Sequence, residues 1–243
     1  MKKIAFFLLL TTAGWRTSVA QQVTPTAILE KYFAATGGLP AWQKVKSLSL
    51  NYVSVKGSMM EMSMESKLMG PNLSSLQISM NGNVMLKQAF NGKHGYITQN
   101  GKTVDFTQDV DAFMQNRFSI ATQRSYLNKQ YKMEVLSNTT VRGKTAYTLK
   151  IIDPLGSIVT EYYDVETGLL VKRSNHAKNG SDEVFEFGDY KKYKNILIPT
   201  KMISPLQGTG KDPSGTDRTV NIDLVLHLED ARIDEGVTAG DFK

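Results

Sequence analysis

Seven of the eleven methionines fall between Met59 and Met85, and Met60, Met62 and Met64 alternate. Thioethers are soft ligands, so such a run with a histidine beside it could hold Cu(I). The same unbranched, polarizable side chains can instead form ordinary core or a deformable apolar wall for a ligand. Alternation reads as a β-strand, whose successive side chains point to opposite faces. Met60, Met62 and Met64 then share one face, with Glu61, Ser63 and Glu65 on the other. Neighbours along one strand face stand roughly 6–7 Å apart, too far to chelate one ion without a bend. His94, His176 and His227 are dispersed, and none lies within the methionine cluster. Core packing and a ligand wall therefore outrank metal, and neither a metal nor a cofactor is expected.

Other chemistry is poorly represented. The chain lacks a His-Glu-x-x-His or inverted zinc motif, a Gly-x-Ser-x-Gly elbow and a phosphate loop. With no cysteine, disulfides, thiolate metal sites and thiol nucleophiles are excluded. His176 and His227 read as ordinary strand histidines, and Asp182-Glu183 and Glu229-Asp230 as solvated strand ends. Asp164 and Gly168 read as turn residues, one for local hydrogen bonds and one for positive φ. No catalytic residue is assigned, and an enzyme is not expected.

The elements that would position the methionines can be read from the periodicity. Thr24 caps a helix with Pro25 at its first position, and Ile28, Leu29, Tyr32 and Phe33 recur at helical spacing before Gly37-Gly38 ends it. Pro40 to Lys44 forms one more turn, with Trp42 inward. From Lys46 the period becomes two. Leu48, Leu50 and Tyr52, then the methionines, then Leu76, Ile78 and Met80, then Val84 to Phe90 form an antiparallel meander with turns at Asn81-Gly82, Asn91-Gly92 and Asn100-Gly101. Gln108 to Leu127 lacks alternation and fits one or two short helices. Seven more strands follow between Tyr131 and Ala231, while Ser204 to Thr219, rich in Pro, Gly, Ser and Asp, reads as a loop. About ten strands with few helices must curl strongly or close, with the helical pieces along one face.

The first twenty residues read as an export signal: Lys2-Lys3, an apolar run from Ile4 to Leu10, and Ser18-Val19-Ala20 as a small-x-small cleavage site. The apolar run is shorter than the roughly 20 residues a membrane span needs. Losing Lys2, Lys3 and Arg16 with it lowers the net charge from +6 to +3. The remaining basic residues are scattered, so a nucleic-acid partner is excluded. The expected product is a soluble periplasmic domain spanning 21–243.

Several segments together carry a family resemblance: ILEKYFAATGG, MLKQAFNGKHGYI, TEYYDVETGLLVKR, GDYKKYKNILIPTKM and the closing Asp241-Phe242. They resemble the LolA/LolB-like superfamily, in particular the exported Bacteroidetes outer membrane lipoprotein-sorting proteins. Similar stretches form a C-terminal domain on exported insulinase-type zinc peptidases. The resemblance implies a mostly β, α+β fold: a strongly curved antiparallel sheet, an incomplete barrel, with short helices covering the concave face. It further implies a non-enzymatic carrier for an acyl chain of a lipid or lipoprotein, in transient contact with membranes. The cavity wall would comprise Leu48, Leu50, Met60, Met62, Met64, Ile78, Met80, Leu86 and Phe90. One departure is clear: no arginine occurs between Arg16 and Arg117. The superfamily's carriers place a functional arginine on an early strand, so their loading and release switch is not carried over. The alternatives are a filled scaffold module that partners an exported peptidase or other envelope proteins and, more weakly, methionine-based copper binding.

Overall fold

A computed structural model describes residues 23–56, 61–70, 72–107, 122–154, 156–176, 182–211 and 217–243. The proposed signal segment, Met60 and most of the helical expectation at 108–127 thus lie outside the described residues; of the last, Thr122–Leu127 forms a 3₁₀ helix. Two α-helices come first, α1 (Pro25–Ala35) and α2 (Leu39–Lys44). The strands are β1 (Ser47–Ser54), β2 (Met62–Met69), β3 (Leu73–Met80), β4 (Asn83–Asn91), β5 (His94–Gln99), β6 (Lys102–Thr107), β7 (Lys132–Val141), β8 (Lys144–Ile152), β9 (Ile158–Asp164), β10 (Leu170–His176), β11 (Asp182–Tyr193), β12 (Ile196–Lys211) and β13 (Asp217–Ile233).

All thirteen form one antiparallel sheet in the order β6-β5-β4-β3-β2-β1-β13-β12-β11-β10-β9-β8-β7. The sheet is not closed, because β6 and β7 are its two edges. A twisted open sheet rarely exceeds about 10 strands without curling. Register shifts at Asn51/Tyr52, Ile78/Ser79, Leu136/Thr139 and Leu170/Lys172 supply bends. The architecture is the expected incomplete barrel.

One expectation is corrected. Within Ser204 to Thr219, residues 204–211 and 217–219 are not loop, because β12 and β13 continue as a ladder from Ser204↔Leu224 to Lys211↔Asp217, while 212–216 lie outside the described residues. Its composition hides it, since backbone pairing needs no apolar alternation. Pro205, which would break a central ladder, is tolerated because the pairing of β11 with β12 stops at Ile203.

The inner face carries Leu48, Leu50 and Tyr52 of β1 and receives the helices. Ile28, Leu29, Tyr32 and Phe33 of α1 and Trp42 of α2 join these residues in one buried cluster. Thr24 Oγ1 accepts from the Ala27 N–H at 3.2 Å, as an N-cap should. Beyond α1, the Leu197 N–H donates to the Thr36 carbonyl at 3.0 Å, which ties the helix to the β11–β12 turn. Gly37, at φ 115°, permits that approach: a Cβ there would lie 2.1 Å from the Asn195 carbonyl oxygen. Trp42 donates from Nε1 to Thr36 Oγ1 at 2.9 Å, and Arg124 Nη1 bonds the carbonyls of Trp42 and Val45 at 2.8 and 3.2 Å. These bonds join α1, α2 and the 3₁₀ helix into one cover over one end of the inner face.

The outer face of the early strands is fastened by the C-terminal segment. Asp234 Oδ1 accepts the N–H groups of Lys46 and Ser47 at 2.6 and 2.9 Å. Phe242 is buried, and Lys67 pairs with Asp241 at 2.9 Å. The hydrogen bond from Lys67, helped by Thr238, holds the Asp241 carboxyl at about 2, below its ordinary value.

Two outcomes are expected. Gly37→Ala should destabilise the fold by about 2–4 kcal/mol in urea unfolding, from positive φ and the carbonyl clash. Asp241→Asn should cost at most about 1 kcal/mol. A depressed folded-state pKa stabilises above the unfolded value of about 3.9, so this difference should be full near neutral pH and vanish as the pH falls through about 2. Parallel stability curves for the two proteins across that range would show that the Lys67–Asp241 contact contributes nothing.

Candidate functional site

The register places most of the residues proposed for a cavity wall on one face. Tyr52 stands opposite Met64, and Leu50 opposite Ser66. Met64 stands opposite Ile78, and Met62 opposite Met80. Ile78 continues the row to Leu86, and Ser74 to Phe90. Because directly paired residues share a face, Leu48, Leu50, Met62, Met64, Ile78, Met80, Leu86 and Phe90 all look inward. They do not look into the same surroundings. Leu48, Leu50, Met64 and Phe90 are 1–3% exposed and belong to sealed core. Met62, Ile78, Met80 and Leu86, towards the strand ends remote from α1, are only half-buried.

The histidines do not join them. His227 pairs with Val53, His94 alternates with inward Gly95, and His176 alternates with inward Asn175, so all three lie on the outer face. His176 is held between Thr160 Oγ1 at 2.9 Å and Asp182 Oδ1 at 3.0 Å. The arrangement has the connectivity of a hydroxyl–imidazole–carboxylate relay. Thr160, however, lies between paired strands, opposite both Lys150 and Ser174. Backbone N–H groups there serve the ladder and do not converge on an oxyanion. Asp164 is a turn residue as expected: Oδ1 accepts the N–H groups of Glu166 and Thr167 at 2.9 and 2.7 Å.

A cleft of about 350 Å³ opens where β1, β2 and β3 end, with Met62 beside Lys56, Glu61, Ser63, Ser79 and Glu229. Its charged lining suits a polar headgroup better than a hydrocarbon tail.

The inner face also holds a polar cluster that the sequence did not announce. Glu161 of β9 is 0% exposed and Arg173 of β10, its register partner, 2%. Glu161 Oε1 accepts from Arg173 Nε at 2.8 Å, Gln123 Nε2 at 3.0 Å and the Tyr126 hydroxyl at 3.1 Å, and pairs ionically with Arg173 Nη2 at 2.6 Å. Its Oε2 accepts from the Tyr163 hydroxyl. Burial would lower the Arg173 pKa, but the Glu161 carboxylate reverses this and leaves it raised. Burial, then the same carboxylate, pushes the Tyr126 and Tyr163 hydroxyls well up, so both stay protonated donors. Among the described residues, Gln123 Oε1 and both polar atoms of Asn175, a residue 1% exposed on the same face, have no hydrogen-bond partner. Each such buried group costs about 1–3 kcal/mol. The available sequence signal was phase: Glu161 falls in register with inward Val159 and Tyr163, a charge in an apolar row.

Comparison with known proteins bears on the fold. No protein-family model matches the sequence, and no curated protein matches it. Among solved structures, a LolA superfamily protein from Nitrosomonas europaea is similar, with TM-score 0.53, 14% identity, and 91% of this chain and 98% of that one covered. An outer membrane lipoprotein-sorting protein domain from Vibrio parahaemolyticus aligns at TM-score 0.49 and 14% identity over 88% of this chain and 94% of its own. A DUF1329 family protein from Desulfovibrio piger aligns at 0.47 and 15%, over 90% and 96%. The chain has the LolA-like fold.

The buried pair makes a clear expectation. Arg173→Met should cost about 3–5 kcal/mol in urea unfolding, because it leaves the Glu161 charge uncompensated. Combining it with Glu161→Gln should recover much of that loss, since the buried charge is gone and the amide oxygen still accepts from one of the two tyrosines. A double variant no more stable than Arg173→Met would show that the charge is not the source of the cost.

Proposed function

We propose that this protein is a non-enzymatic carrier that shields an acyl chain of a lipid or lipoprotein against the inner face of its sheet. It works in the periplasm after loss of residues 1–20 and touches membranes only while loading or releasing. The observation that carries this reading is the division of the inner face. The helices seal one end, while Met62, Ile78, Met80 and Leu86 stay half-buried at the other. Flexible methionines suit a wall that must accommodate varied tails.

The energetics are adequate without a charged anchor. A chain of about 15 carbons gains roughly 12 kcal/mol gross, at about 0.8 kcal/mol per buried methylene. Ordering costs reduce this, and micromolar affinity remains within reach. Support for carriage over catalysis comes from the Glu161 carboxylate, which is saturated with donors, and from the LolA-like fold. No helix among the described residues is long and apolar enough to cross a membrane.

Native mass spectrometry of protein recovered from the periplasm should show adducts with the masses of acyl lipids. A fluorescent fatty acid should bind the delipidated protein, and Met62→Glu with Met80→Glu should weaken it more than tenfold. These half-exposed positions should change stability by less than about 1 kcal/mol. Empty protein that fails to bind the probe would remove the carrier reading and leave the filled scaffold.

A further inference from the structure

Met62 stands at a boundary between two surroundings. Its register partner Met80, with Ile78 and Leu86 beside them, places it on the half-buried end of the inner wall. It also lines the cleft of about 350 Å³ at the ends of β1, β2 and β3, together with Lys56, Ser63 and Ser79. One thioether therefore borders an apolar wall and a polar opening. The backbone is held at this point, since the Met62 N–H donates to Ser54 Oγ at 2.8 Å. Directly paired side chains lie about 4.5–5.5 Å apart at Cβ, so Met80 shares the same access. Met64 and Met202 form a contrasting set, each only 3% exposed. The chain has no cysteine, so methionine is its only sulfur.

We propose that Met62 and Met80 form an oxidation site, where conversion of thioether to sulfoxide turns the open end of the wall polar and lowers its affinity for an acyl chain. This rests on the carrier reading and adds a regulation of the same surface. The oxidant is a peroxide. A sulfur lone pair attacks one peroxide oxygen, the O–O bond breaks as the S–O bond forms, and water leaves after proton transfer. Sulfur gives up two electrons and the peroxide gains them. The product carries a strong acceptor oxygen, which is costly to keep on an apolar wall. The cleft offers that oxygen donors in Lys56, Ser63 and Ser79, so oxidation favours turning Met62 from wall to cleft. A methionine sulfoxide reductase restores the thioether with two electrons and two protons from a dithiol, which becomes a disulfide while the oxygen leaves as water. Those thiols must come from another protein, since this chain has none.

The test treats the delipidated full chain with hydrogen peroxide, removes the peroxide, and reads two quantities. Peptide mass mapping follows oxygen gained at each methionine, and titration gives the affinity for a dansylated fatty acid. Met62 and Met80 should gain oxygen well before Met64 and Met202, while affinity falls about tenfold. Methionine sulfoxide reductases with dithiothreitol should restore it. In Met62→Leu with Met80→Leu, affinity after peroxide should equal affinity before it, whatever the starting value. Met69, Met85 and Met133 are also accessible, and changing all three to leucine should leave the peroxide effect in place. Met62→Gln, an uncharged acceptor of similar length, should weaken binding without peroxide. Equal oxidation of Met62 and Met64, or unchanged affinity with sulfoxide at Met62 and Met80, overturns this inference and leaves the carrier reading standing. So does peroxide sensitivity that persists in the leucine pair. Untreated protein that does not bind the probe removes the carrier reading, and the loss of affinity with it.

Discussion

The structure depends on covering one face of a sheet too wide to stay flat. Its inner face is lined by apolar side chains from Ile151 and Leu149 through Met202 and Leu226 to Leu50, Met64 and Leu76, interrupted by Glu161 and Arg173. Burying that lining drives the sheet to curl and recruits α1, α2 and the 3₁₀ helix as a cover. The other features serve this arrangement. Bulges bend the strands, Gly37 admits the β11–β12 turn, and the C-terminal segment fastens the opposite face. The cover does not reach every apolar side chain, and Met62, Ile78, Met80 and Leu86 stay half-buried.

Burying the Glu161–Arg173 pair in this face is expensive, and its geometry shows how the expense is contained. Every donor around Glu161 stays protonated across ordinary pH, because burial and the carboxylate hold the tyrosine hydroxyls up, and the carboxylate outweighs burial to keep the arginine cationic. The network fixes the 3₁₀ helix through Gln123 and Tyr126, so a polar contact determines the seating of an apolar cover. Such pairs serve position more dependably than stability.

What the sequence disclosed follows from what periodicity encodes. The strands of Leu48, Met62 and Ile78 were legible because one side of each is apolar and the other polar. The extension of β12 and β13 was not, because Ser204 to Lys211 pairs through its backbone and carries no apolar rhythm. The face shared by the methionines was legible, but the contrast between sealed Met64 and half-buried Met62 was not, since it depends on where distant helices lie. Glu161 and Arg173 looked like ordinary strand charges. Only the register of β9 with β10 and the approach of Gln123 give them a common interior.

The order of the sheet also constrains how the chain can fold. Its central seam joins β1 to β13, with Leu48 opposite Ile233, so the first strand waits for the last. Each half can form hairpins locally, but the two remain separate meanders with open inner edges until the final strand is available. Closure of that long loop should therefore be the slow step. The chain would stay pliable until its last strand is in hand, and then set across its middle.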